Sequence, residues 1–223
     1  MMKKLIFPLL FALGISTHVD AQKPYKAYMV SNTHLDTQWL WTVQTTIDHY
    51  LYRTLTQNFW LIDHYPGYIF NFEGAVRYQW AKEYYPTEYE RLKNYIKAGR
   101  WNISGSSWDS TDPNIPSPES FFRNLLYGQE FFKKEFGKKS NDIFLPDCFG
   151  FGYTLPTIAA HSGIIGFSTQ KLQHRKLPFY GDHKLPFMFG LWEGIDGARI
   201  MAVPHAQDYV SRFDGQELSN NGK

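Results

Sequence analysis

Short apolar runs that alternate with stretches of helical spacing constrain this chain more than any other feature of its sequence. Ala27 to Val30 reads as a first strand, and Ile47, Leu51, Leu55, Phe59 and Ile62 then recur at helical steps between Thr45 and Tyr65. Pro66-Gly67 ends that helix, and Tyr68 to Phe72 alternates like a second strand. Helical spacing resumes at Ala75. Pro86 starts or kinks a helix through Tyr89, Leu92 and Ile96, with Gly99 as its expected C-cap. Arg100 to Ile103 is the third strand. Ser104 to Pro118 reads as loop, and the helix beyond it carries Phe121, Leu125 and Phe132 on one side. Ile143 to Pro146 and Gly163 to Ser168 are the next strands, flanking a short helix from Leu155 to Ser162. Phe187 to Trp192 and Arg199 to Val203 add two more strands around a hairpin-type Asp196-Gly197 turn. Strands alternating with helices predict an α/β fold with mostly parallel strands, in a sheet or barrel.

The first 21 residues stand apart. Lys3 and Lys4 precede an apolar stretch from Leu5 to Ile15, and Val19-Asp20-Ala21 resembles a cleavage site. Residues 1–21 are therefore expected to be a secretory signal peptide and 22–223 the mature chain, periplasmic or secreted. The apolar stretch is too short to span a bilayer, and no cysteine follows it to take a lipid anchor. Cys148 is the one cysteine in 223 residues, so an exported chain must rely on its core rather than on disulfides. The formal net charge is only +2 and no basic run accompanies it, which argues against a nucleic-acid partner. Aromatic residues make up 18% of the chain. Most are expected in the core, leaving a minority as stacking faces for sugars. The polar end, Leu218 to Lys223, closes no element, and is read either as a stop inside a domain or as a natural loop terminus.

In α/β sheets and barrels, reactive groups gather at the carboxyl ends of strands. Asn32 to Trp41 and Leu145 to Gly152 fall at such ends. His34 and Asp36, two apart in extended backbone, face the same side, so an imidazole nitrogen and a carboxylate converge as zinc requires. The alternative is a His–Asp hydrogen bond in a loop. Asp147, at another strand end, is the best third ligand, with Pro146 before it and Gly150 and Gly152 leaving room for a substrate. Trp39 and Phe149 are each a sugar platform or a core ring. Asp109, Asp112 and Glu119 read as turn and helix-start residues. His49, His64, His161, His174, His183 and His205 show no paired ligand spacing.

The blocks THLDTQWLW, DPNIPSPESFFRNLLYGQEFFKKEFG, FLPDCFGFGYTLPTIAAHSGI, STQKL and LWEGIDGARIMAV follow one another as in the glycoside hydrolase family 38 α-mannosidases, which this chain resembles from about Tyr28 to about Tyr209. The resemblance implies a zinc-dependent retaining enzyme acting on mannose-containing glycans, with a β/α-barrel-like N-terminal catalytic domain. It implies that His34 and Asp36 are zinc ligands, and that Asp147 is both ligand and catalytic nucleophile. Trp39 and Phe149 match aromatic positions of the mannose subsite. Lys171 falls where some members carry an active-site arginine, and Asp208 where a substrate-contacting acid is found. The family's last zinc ligand, a histidine, and its general acid are expected beyond residue 223, so the catalytic domain is expected to be incomplete here. Cys148 and Phe151 stand where relatives often carry Thr and Tyr or His. Two rival readings are a zinc-dependent polysaccharide deacetylase and a truncated mannose-binding protein without turnover. Mixed His/carboxylate donors also accept divalent ions other than zinc.

Overall fold

The computed structural model describes residues 30–172 and 189–204, all within a unit spanning Met29–Phe213. Residues 1–21, expected to be a signal peptide, residues 27–29 of the expected first strand, Phe187, Met188 and Asp208 lie outside the described residues.

The first sheet contains β1 (Ser31–Thr33), β2 (Phe70–Glu73) and β3 (Trp101–Ser104), side by side and parallel. Between β1 and β2 run α1 (Val43–Thr45), a π-helical stretch (Thr46–Leu51) and α2 (Tyr52–His64). Between β2 and β3 run α3 (Ala75–Tyr84) and α4 (Pro86–Lys97). A long loop leads to α5 (Pro118–Phe136), followed by β4 (Asp142–Phe144), α6 (Leu155–His161), β5 (Gly166–Ser168), β6 (Gly190–Glu193) and β7 (Arg199–Val203). The second sheet has the order β4-β5-β7-β6; β6 is antiparallel to β7 and the other pairs are parallel. The expected α/β fold with mostly parallel strands is thus observed. The described strands form two sheets rather than one closed ring.

The polar triplet Ser31-Asn32-Thr33 forms β1, directly after the apolar run that suggested a strand. Backbone pairing to β2 decides this, in the register Ser31 to Phe70 and Thr33 to Phe72. Asn71 reinforces it by donating its side-chain N–H to the Ser31 carbonyl at 2.9 Å. Helix boundaries follow their local chemistry. Ser117 caps α5 by accepting the Ser120 N–H at 3.2 Å, and proline occupies the first turns of both α4 and α5.

Two apolar cores lie on these sheets. The first packs Leu51, Leu55, Phe59 and Ile62 of the long helical segment, with Tyr89, Leu92 and Ile96 of α4, against Phe70, Phe72 and Trp101. Trp101 is buried, and its indole N–H donates to the Tyr78 hydroxyl at 3.0 Å. Tyr78 in turn donates to the Phe72 carbonyl at 2.8 Å, so both polar tips are satisfied inside the core. The second core gathers Ile143, Leu145, Phe167, Ile200 and Ala202 from strands and loops with Leu155 and Ile158 of α6. Helix α5 serves both cores: Phe132 enters the first, Phe121 and Leu125 the second.

Helix α5 also fastens the loop after β3. Asn124 accepts the Asp109 N–H at 3.0 Å and donates to the Asp109 carbonyl at 2.8 Å, while Trp108 N–H reaches the Asn124 carbonyl at 2.8 Å. Gly128 permits this approach. A Cβ there would lie 2.3 Å from the Ser106 carbonyl oxygen and from the Ser107 carbonyl carbon, both backbone atoms that cannot rotate away. Gly128→Ala is therefore expected to destabilise the chain by about 1–3 kcal/mol or more through overpacking, read as a lower denaturant midpoint. An unchanged midpoint would contradict this packing.

Candidate metal and sugar site

His34 and Asp36 follow the end of β1, Glu73 ends β2, Asp147 and Phe149 follow β4, and Lys171 follows β5. All lie at carboxyl ends of parallel strands. His34, Asp36 and Asp147 each present a ligand atom, all within 4.8 Å of one another. A cavity of about 280 Å3 opens between them, lined also by Leu145, Cys148, Phe149 and the loop residues Ser110, Thr111 and Asp112. The sequence pairing of His34 with Asp36 and the choice of Asp147 as third ligand are thus brought together in space.

The donor set fits a divalent ion. His34 Nε2 and Asp36 Oδ1 are 3.1 Å apart, close to the roughly 3.4 Å between two ligands held at about 2.1 Å in a tetrahedral site. The His–Asp hydrogen bond considered from sequence therefore exists, in a geometry that also suits a shared ion. On its other side, His34 Nδ1 lies 3.0 Å from Glu73 Oε1, the carboxylate–histidine arrangement that orients metal-ligating imidazoles. Burial opposes charging of His34. The Glu73 hydrogen bond and the charges of Glu73 and Asp36 outweigh it and raise the imidazole pKa above its ordinary value, with Arg77 acting the other way.

The backbone between the two β1-end residues is held from below. Arg77 of α3 is fully buried and donates through Nε to the Leu35 carbonyl at 2.8 Å, and again through Nη2. Its Nη1 faces the Asp109 carboxylate at 3.2 Å as an ion pair, off the line of a hydrogen bond. Burial raises the Asp109 pKa despite this partner. Gly74, at φ 75°, makes room for the guanidinium, because a Cβ there would sit 1.9 Å from Nη1. Thr46, buried in the π-helical stretch, donates to the Thr37 carbonyl at 3.0 Å and receives the Trp41 indole N–H at 2.8 Å. π-Helical turns recur beside functional sites, and this one secures the loop that follows Asp36.

Lys171 Nζ is 2.5 Å from Asp147 Oδ1 and 4.9 Å above the Phe149 ring. Phe149 is 82% exposed and lines the cavity. It is no core ring among the described residues, and Lys171 stands over one of its faces. Trp39 is 67% exposed and meets Trp41 edge to face at 5.6 Å. It too is no core ring, although it stands outside the cavity lining. Cys148 donates its thiol to the Thr111 carbonyl at 3.3 Å. Burial, with Asp112, Glu73 and Asp147 nearby, pushes its pKa up to about 12, so it stays a protonated thiol rather than a nucleophile.

Some expectations change. Gly150, at φ 138°, makes room chiefly for Asn114, whose amide donates to the Gly150 carbonyl at 2.8 Å. Asp112 does form the expected turn, accepting the Asn114 N–H at 2.8 Å, and also lines the cavity. Glu119 pairs with Arg123 along α5, and His161 with Asp196 at 2.7 Å, as non-site residues. Glu73, Arg77 and Ser110 were not anticipated. The position of Glu73 directly after the alternating stretch Tyr68 to Phe72 is its one local feature, and by itself it does not single out the residue.

The chain is similar to known proteins along most of its length. The description "Glycosyl hydrolases family 38 N-terminal domain" matches residues 24–221. Alpha-mannosidase G of Dictyostelium discoideum is 39% identical over 208 residues, covering 92% of this chain and 19% of that protein. Human alpha-mannosidase 2C1 is 33% identical over 198 residues, 88% of this chain and 18% of that protein. The crystal structure of an alpha-mannosidase from Enterococcus faecalis V583 superposes with a TM-score of 0.65 at 22% identity, over 78% of this chain and 19% of that one. The chain thus spans about a fifth of the length of these relatives. With residues 24–221 of its 223 matching the family's N-terminal domain, this chain belongs to glycoside hydrolase family 38.

Proposed function

We propose that this chain carries the metal-binding and nucleophilic half of a retaining α-mannosidase that acts on mannose-containing glycans. The observation that carries the reading is the convergence of one imidazole and two carboxylates from separate strand ends on one cavity, in a chain whose relatives are named alpha-mannosidases. A deacetylase site wants two imidazoles and one carboxylate, and the triad here has the opposite proportion.

His34, Asp36 and Asp147 would hold the ion, zinc in this reading. When bound, it supplies a positive centre for two adjacent mannose hydroxyls and helps the ring distort toward an oxocarbenium-like transition state. The remaining steps belong to side chains. Phe149 offers an apolar face to the sugar, with Trp39 at the rim. Lys171 and Asp208 are assigned to substrate contact. A carboxylate oxygen of Asp147 attacks the anomeric carbon as the glycosidic oxygen departs with a proton from a second carboxyl group. That group then deprotonates the water that attacks the same carbon, freeing Asp147 and releasing mannose with its configuration retained. No residue of this chain is assigned as that second carboxyl group. Residues 1–21 act as an export leader to the periplasm or beyond.

A fluoride leaving group needs no protonation, so the nucleophile can be tested without the second carboxyl. Purified 22–223, loaded with zinc and incubated with an activated fluorinated mannosyl fluoride, should gain one fluoromannosyl mass, mapping to the Asp147 peptide. Turnover of an aryl α-mannoside should be absent. Adduct formation at another residue, or none with zinc bound, would overturn the assignment of Asp147.

A further inference from the structure

Glu73 has no assigned role in the reaction, yet its position joins three parts of the site. It is fully buried at the end of β2. One carboxylate oxygen is 3.0 Å from His34 Nδ1, and the other accepts the Ser110 hydroxyl at 3.0 Å. Ser110 lines the cavity. The Cβ of Glu73 lies 3.0 Å from where a Cβ at position 105 would sit, and the chain has glycine there at φ 63°, so the backbone is shaped to admit Glu73.

A buried carboxylate is costly to desolvate unless each oxygen is paired. Here both are, and one of the partners is a proposed metal ligand. His34 meets two carboxylates at opposite nitrogens: Glu73 at Nδ1, with 1% of its side chain exposed, and Asp36 at Nε2, with 35% exposed. In the neutral ring a single proton must choose between them. The hydrogen bond in the drier surroundings is the stronger one, so the proton belongs on Nδ1, leaving the Nε2 lone pair directed at Asp36 and the cavity.

We propose that Glu73 is a positioning residue that fixes the Nδ1–H tautomer of His34, and so aims Nε2 at the ion, while tying the Ser110 loop to the same frame. The inference rests on the metal-site reading above, and its test is built to fail separately from that reading.

Three forms of the chain are compared: native, Glu73→Gln and Glu73→Met. Methionine keeps the volume and removes both acceptors, whereas glutamine keeps an oxygen but loses the charge. The tautomer of His34 is read from its ring nitrogen shifts by NMR, in the metal-free chain at mildly alkaline pH. Zinc affinity is read by competition with a chromophoric chelator. The native chain should hold Nδ1–H. Glu73→Gln should lower that population, because a neutral amide holds the proton less strongly than a carboxylate, and weaken zinc several-fold. Glu73→Met should move the proton to Nε2 and weaken zinc about 10–100-fold, the usual range for such partners. A structural role alone would not grade the tautomer with the acceptor. Glu73→Gln preserves size and shape, so it decides the matter even if Glu73→Met does not fold. Native-like tautomer and affinity in Glu73→Gln, or an Nε2–H ring already in the native chain, would overturn the proposal. If the native chain binds no zinc, the metal reading fails, and the tautomer series alone decides the role of Glu73.

Discussion

Asp147→Asn is expected to abolish covalent capture of the fluorinated mannosyl fluoride while leaving the chain folded. The substitution keeps the shape of the side chain and one oxygen. It removes the negative charge that attacks the anomeric carbon, and an amide oxygen is no substitute nucleophile. The fold should tolerate the change. The Asp147 side chain is 34% exposed and its ion pair with Lys171 is partly solvated, so the loss to stability is expected to stay within about 1 kcal/mol. Zinc affinity should fall at least tenfold, as one of three charged or imidazole donors in the cavity becomes a weak one. The measurement is intact-protein mass spectrometry with a thermal melt of the same sample. An adduct of native yield in the asparagine form would remove Asp147 from the chemistry.

Arg77→Ala is expected to have the largest effect on stability, about 3–5 kcal/mol and nearer the lower figure. The guanidinium is fully buried, whereas its partner Asp109 keeps 32% of its side chain exposed and can be partly rehydrated. Removing the arginine leaves the Leu35 carbonyl without its two donors, a half-buried carboxylate without its cation, and a void under the β1 loop. Denaturant unfolding reads the loss directly, and the melting temperature should fall by roughly 10 °C. Arg77→Lys should not restore the site, because one ammonium cannot bridge the Leu35 carbonyl and Asp109 in the geometry of a planar fork. Leu35 lies between two proposed ligands, so zinc affinity should fall along with stability. Unfolding free energies within 1 kcal/mol of native for Arg77→Ala would show that the buried ion pair contributes little.

Much of the site was legible because its chemistry is local. His34 and Asp36 lie two residues apart, and the strand period alone puts them on one side. Asp147 was found because it follows an apolar run, as the His34 segment does, and strand ends of a parallel sheet face the same way. Glu73 and Arg77 were illegible for the opposite reason. Their partners are 39 and 42 residues away in sequence, and neither belongs to a motif. Likewise, local propensity decides helices such as Pro118–Phe136, with its serine cap and glycine stop. It does not decide a strand made of Ser-Asn-Thr, which exists only because β2 offers it a ladder.

From its order of residues alone, this chain determined that helices and parallel strands alternate and that an imidazole and two acids stand at strand ends, since both properties follow from periods of two and 3.6 along the backbone. Tertiary structure decided how far apart those ends lie, which carboxylate backs the imidazole, and that Phe149 and Trp39 face solvent rather than the core. Those outcomes depend on packing between segments dozens of residues apart, where burial and charge pairing set the energies and no local pattern records them.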